Sequence, residues 1–112
     1  MEIETRLKEL GLVLPEPVRT PPGVRLPFAF VRVHESRAYI AGHGPTQPDA
    51  TLAGSFGKVG EGITLDQAIH AARLTGLAML ASLKRELGDL DRVTAWLRVF
   101  GMVNAAPWFS QQ

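Results

Sequence analysis

Residues 64–88, TLDQAIHAARLTGLAMLASLKRELG, constrain the fold more than any other part of the chain. Leu65, Ile69, Ala72, Gly76, Leu80, Leu83 and Leu87 recur every three or four positions, which on an α-helix lines them up in one stripe. Asp66, Gln67, His70, Arg73 and Lys84 then turn largely away from it. Thr64, followed three residues on by Gln67, reads as a capping box, and Gly88 as a left-handed stop. At about 1.5 Å per residue the helix is roughly 36 Å long, well beyond the average globular helix. A stripe of that length needs a wide apolar surface to lie on, and the expected one is a β-sheet.

The remaining residues are read for that sheet. A single domain is the expected count for 112 residues, enough to bury a real core. Ile3, Leu7 and Leu10 fit a short amphipathic helix closed by Gly11. It gives way to LVLPEPVRTPPGVRLP, whose prolines fix φ and remove donors. That passage is expected to be an extended arm packed on the domain, the alternative being a linker. Residues 28–33 and 37–41 are short β-rich runs, and His34, Glu35 and Ser36 between them suit a hairpin with a three-residue loop. Next comes GHGPTQPDATLAGSFGKVGEG, a glycine-rich loop region interrupted at most by a weak strand at 56–59.

After the long helix, RVTAWLRVFGMV at 92–103 is the strongest predicted strand. Val93, Ala95, Leu97, Val99, Gly101 and Val103 alternate onto one face, small and apolar, suited to receiving the helix. Thr94, Trp96, Arg98, Phe100 and Met102 fall on the other. Two such faces predict a strand covered on both sides, and one helix covers only one. Trp96, Phe100 and Met102 are therefore expected at an interface between subunits, because aromatics, Met and Arg are enriched there. The ending NAAPWFSQQ resembles a loop entering a second helix, with Pro107 in its first turn. Two aromatics there argue against a frayed tail, so the chain is read as C-terminally truncated.

Net charge and composition narrow the classes of function. A charge of +1 offers no field for a phosphate backbone, which argues against nucleic acid as a partner. No cysteine is present, so disulfides and thiol chemistry are excluded. The opening MEIETRLKELG is not a basic-then-apolar leader, and no run nears the about 18 apolar residues of a membrane span. These features predict a cytoplasmic protein with no membrane partner. The three histidines lack metal-ligand spacing, so no metal site is expected.

Taken in order, FVRVHESRAYIAGHGP, GKVGEGITLDQAIHAARLTGLAMLASLKRELGDLDRV and TAWLRVFGMVNAAPWF resemble the RidA (YjgF) family, also called endoribonuclease L-PSP. The likeness is to the subgroup with a GxVNAAPxF stretch and covers residues 24–112, leaving 1–23 as a separate helix and proline-rich arm. It implies an α+β, chorismate-mutase-like fold: a β-sheet with helices on one face and a homotrimer interface on the other. Here the second helix and last strands would be missing. It implies cofactor-free hydrolysis of reactive enamines and imines to 2-oxo acids and ammonia, with the ligand in clefts between subunits. A non-catalytic ligand-binding trimer and the ribonuclease or translation inhibitor of the L-PSP type are the alternatives. The family's SGQ-P stretch corresponds to Ala41, Gly42, His43, Gly44 and Pro45, so its serine and glutamine are changed. Its tyrosine before the first strand most nearly matches Phe28, which has no hydroxyl. The family's carboxylate-binding arginine and its glutamate fall beyond Gln112.

The candidate ligand-binding residues are thus Phe28, Gly42, His43, Gly44, Arg98 and Asn104. His43, between glycines that let backbone approach a ligand, either orients a water or a carboxylate or is a loop histidine satisfied locally. Arg98 on an apolar face needs an anion, from a ligand or from a neighbouring subunit's carboxylate. Asn104 either bonds a ligand or caps the helix that follows. His34 and His70 are expected in solvent. The partners predicted are a small carboxylate-bearing metabolite and further copies of the chain.

Overall fold

The computed structural model describes residues 1–54 and 56–111; Ser55 in the glycine-rich loop and Gln112 at the C-terminal end lie outside the described residues. It is a small α+β fold with one long helix and two short two-stranded sheets, of which the first packs against that helix. Helix α1 is Glu2–Glu9, strands β1 and β2 are Val31–His34 and Arg37–Ile40, and β3 and β4 are Lys58–Val59 and Gly62–Ile63. Helix α2 is Leu65–Leu87, and a 3₁₀ turn at Leu90–Arg92 follows it.

Helix α2 begins and ends where its sequence dictates. The Thr64 hydroxyl accepts from the Gln67 N–H at 3.1 Å, and the Thr64 N–H donates to Gln67 Oε1 at 2.9 Å. This reciprocal pair satisfies two of the N–H groups a helix start leaves open. Gly88 takes φ 83° and its N–H bonds the Lys84 carbonyl, while Arg92 donates to the Leu87 carbonyl at 2.9 Å. No helix is long and apolar enough to cross a membrane, among the described residues.

The core lies where α2, α1, the hairpin and the 3₁₀ turn meet. Val31, Leu83 and Leu90 are buried together, flanked by Ile3, Leu7, Leu14, Ile40, Leu80 and Leu87. The buried residues of α2 are Leu77, Ala78, Ala81, Ser82 and Leu83, all in its C-terminal half. The predicted stripe is therefore covered at only one end: Ile69 remains about half exposed, and Ala72 is exposed. A hairpin of four-residue strands is too narrow to cover 23 residues of helix.

Helix α1 is tied down from the far end of the chain. Asp91 accepts from the Glu2 and Ile3 N–H groups at 2.7 and 2.9 Å and pairs with the Met1 ammonium. That ammonium, and then the two N–H groups, holds the Asp91 carboxyl down at about 2. The same contact raises the Met1 amine above its ordinary value. Lys84 of α2 reaches Glu4 at 2.6 Å. After α1, Leu14 packs on the core and Pro15 is buried, and the rest of the arm to Pro27 lies mostly exposed.

Three expectations need correction. The hairpin turns in two residues, because His34 pairs directly with Arg37 and Glu35 takes φ 55°, the twist that tight hairpins require. The predicted strand at 92–103 is in no sheet: between Thr94 and Val103 no backbone–backbone hydrogen bond forms among the described residues. Alternating hydrophobicity reports that a segment suits two covered faces, but a strand also needs a neighbour to complete its ladder. The wide sheet is accordingly not built within these residues. Finally, 107–108 is a turn rather than a helix start, closed by the Phe109 N–H on the Ala106 carbonyl at 3.0 Å.

Candidate functional site

The chain leaving β2 forms a strap, residues 41–45, that meets α2 through the side chain of His43. His43 Nδ1 lies 2.7 Å from the Ala41 carbonyl, and Nε2 lies 2.8 Å from Ser82 Oγ on α2. Ser82 is 6% exposed, and its oxygen also accepts from Arg85 Nη2 at 3.2 Å. The same guanidinium donates to the Pro15 carbonyl at 3.4 Å. One polar string thus ties the arm, the helix and the strap together. Phe30 stacks obliquely on His43 with centroids 5.1 Å apart, and Phe28 packs edge-on against Phe30 at 5.3 Å. Gly42 and Gly44 flank the ring with open space where side chains would be.

Phe28, Gly42, His43 and Gly44 are therefore one cluster, and Arg98 and Asn104 belong elsewhere. Asn104 donates from Nδ2 to the Gly57 carbonyl at 3.5 Å, so it braces the glycine loop rather than capping a helix. Its neighbours complete that brace: Val59 N–H bonds the Asn104 carbonyl and Ala106 N–H bonds the Val59 carbonyl, both at 2.9 Å. Phe109 lies over Gly60, where φ is +90° and a Cβ would meet the ring at 3.1 Å. Only glycine fits there. Arg98 is exposed on the unpaired segment and makes no ion pair among the described residues, so no buried charge awaits a partner. His34 and His70 are exposed, as expected.

The segment 94–103 presents its apolar side chains to solvent. Trp96, Leu97, Val99, Phe100 and Met102 are 59–86% exposed. Trp96 departs from the predicted alternation. It lines a groove of about 380 Å³ beside α2 with Val99, Leu77, Leu80, Leu7 and Leu12, and Arg73 stands at that groove. A smaller cavity of about 150 Å³ lies between Ile3, Leu80, Leu83, Leu90 and the start of the segment. Without a ladder to hold its pleat, the segment does not keep the strict two-residue alternation of faces.

Ser82 was not among the residues singled out from sequence. The signal was there: a serine next to Leu83, in the C-terminal half of an apolar helix, has to find a hydrogen-bond partner if buried. No periodicity argument says that the partner is His43, 39 positions away. Among the described residues no group of three or more His, Asp or Glu is placed to hold a metal.

No protein-family model matches the chain. No solved structure matches it either. Over 96 residues it is 29% identical to a curated protein of Trypanosoma cruzi, Protein TCP17. The match takes in 80% of the present chain but 60% of that relative, so the chain spans little more than half the relative's length.

Proposed function

We propose that the chain is a RidA-like domain that binds a small carboxylate-bearing metabolite, with a chorismate-mutase-like sheet completed in a homotrimer. The observation that carries the reading is the strap: a glycine-flanked histidine pinned beneath Phe30, with open space beside Gly42 and Gly44. A ligand carboxylate can approach backbone there as no bulkier residue would allow. The order hairpin, strap, glycine loop, capped helix and NAAPWF turn matches the order of the family's motifs. The bare apolar segment at 94–103 supports association, because exposed contiguous apolar surface marks an interaction site.

The chemistry proposed is hydrolysis of a reactive enamine or imine, in which water attacks the C=N carbon and ammonia leaves. No resident cofactor is needed for it. A non-catalytic ligand-binding trimer is the second reading, favoured by the absence of hydroxyls at Ala41 and Phe28 and by the engagement of both His43 nitrogens. Ammonia release from freshly generated enamine, with the protein expressed from its full gene, separates the two. Acceleration supports the enzyme; binding of 2-oxo acids without acceleration supports the binder. Sedimentation as a monomer, with Trp96 and Phe100 in water, refutes both.

A further inference from the structure

Two groups outside the ligand-facing cluster determine what His43 presents to a ligand. The Ala41 carbonyl only accepts, so Nδ1 carries the ring proton. In the neutral ring Nε2 is then an acceptor, and the Ser82 hydroxyl is the donor that reaches it at 2.8 Å. That hydroxyl has one proton, and the Arg85 guanidinium, donating to the same oxygen at 3.2 Å, leaves the proton aimed at the ring. Ser82 is 6% exposed, and among the described residues its oxygen meets no other group.

We propose that Ser82, braced by Arg85, is a positioning residue that occupies the Nε2 lone pair of the Nδ1–H tautomer set by the Ala41 carbonyl and so fixes the ring. His43 then meets a ligand with its ring edge and face, while Gly42 and Gly44 offer backbone. Placement, not proton transfer by this imidazole, is its contribution. The inference deepens the ligand-site reading and rests on it only for that consequence; the Ser82–His43 hydrogen bond itself is tested without any ligand.

Diethyl pyrocarbonate acylates an imidazole nitrogen that has a free lone pair. With the intact protein near neutral pH, His34 and His70, both exposed, react first, and His43 reacts more slowly, as resolved by peptide mass spectrometry. In S82A the His43 rate rises roughly two- to tenfold, the factor that the net strength of one hydrogen bond corresponds to. S82T keeps a hydroxyl and restores protection. Nitrogen-15 spectra of the ring give a second readout that steric shielding does not move: Nδ1 stays protonated in both proteins, and the Nε2 resonance shifts downfield in S82A as its lone pair loses the hydrogen bond. Alanine favours helix, so S82A is expected to keep its far-UV circular dichroism. A His43 that reacts as fast as His34 in the wild type, or an Nε2 resonance unchanged by S82A, overturns the proposal. Absence of ammonia release or 2-oxo-acid binding would sink the ligand reading and leave this result standing.

Discussion

Leu90→Ala tests where the stability of this fold resides. Leu90 is 1% exposed and closes the cluster formed with Val31 and Leu83, so the substitution strikes the junction of α2, the hairpin and α1. Truncation removes three carbons, worth about 2.4 kcal/mol of transfer free energy at about 0.8 per methylene. The void left behind adds a further term, roughly 24 cal/mol per Å³ where the surroundings do not relax. Here they can, because Leu90 already lines the 150 Å³ cavity shared with Ile3, Leu80 and Leu83. The expected cost is therefore about 3 kcal/mol, near the low end of buried Leu→Ala changes. At about 2.1 cal/mol/K of unfolding entropy per residue, that lowers Tm by about 13 °C. Urea unfolding followed by circular dichroism and by tryptophan fluorescence measures it, and coincident transitions establish two-state behaviour. Ile69→Ala is the control: its side chain is half exposed on the uncovered end of α2, and about 0.5–1 kcal/mol is expected. A loss below about 1 kcal/mol for Leu90→Ala, or a larger one for Ile69→Ala, would refute the placement of the core.

Other outcomes follow from single contacts. Thr64→Ala removes one half of the capping box and should cost about 1 kcal/mol by urea titration, with Thr64→Ser nearly neutral. Gly60→Ala and Gly88→Ala both impose positive φ, but only the first also meets Phe109, so it should cost more than the roughly 1 kcal/mol of backbone strain expected at Gly88. Asp91 is held at about 2 by the Met1 ammonium and the Ile3 and Glu2 N–H groups, so its stabilisation is complete above its unfolded value, roughly pH 4. It disappears as pH falls toward 2. The ammonium's raised value works in the opposite sense: its share is complete below about pH 8 and is lost as pH rises through the raised value. Urea midpoints of wild type minus Asp91→Asn should plateau between those limits and fall on either side; a flat difference across pH 2–9 would contradict the clamp.

How much of this was legible beforehand depends on how far apart the interacting residues are. The start, stop and period of α2 rest on contacts within one or two turns, and so does the closure of α1 at Gly11, φ 71°. Proline's missing N–H explained the arm just as locally. The hairpin was also visible, although its turn is one residue tighter than the spacing suggested.

The candidate site divides in the same way. The glycines around His43 were readable as open backbone, whereas the Nε2 partner was not, since Ser82 sits on an element 39 residues later and is itself held by Arg85. Asp91 cannot be recognised locally as the cap of α1, because it acts from 88 residues away. The alternation at 92–103 described side chains correctly as apolar on both faces and said nothing of a neighbouring strand. Sequence by itself thus determined the elements that depend on neighbours along the chain. Tertiary structure decided which distant polar groups meet and which apolar faces stay uncovered, because those are set by the free energy of long-range pairing, and no local pattern encodes the identity of a partner.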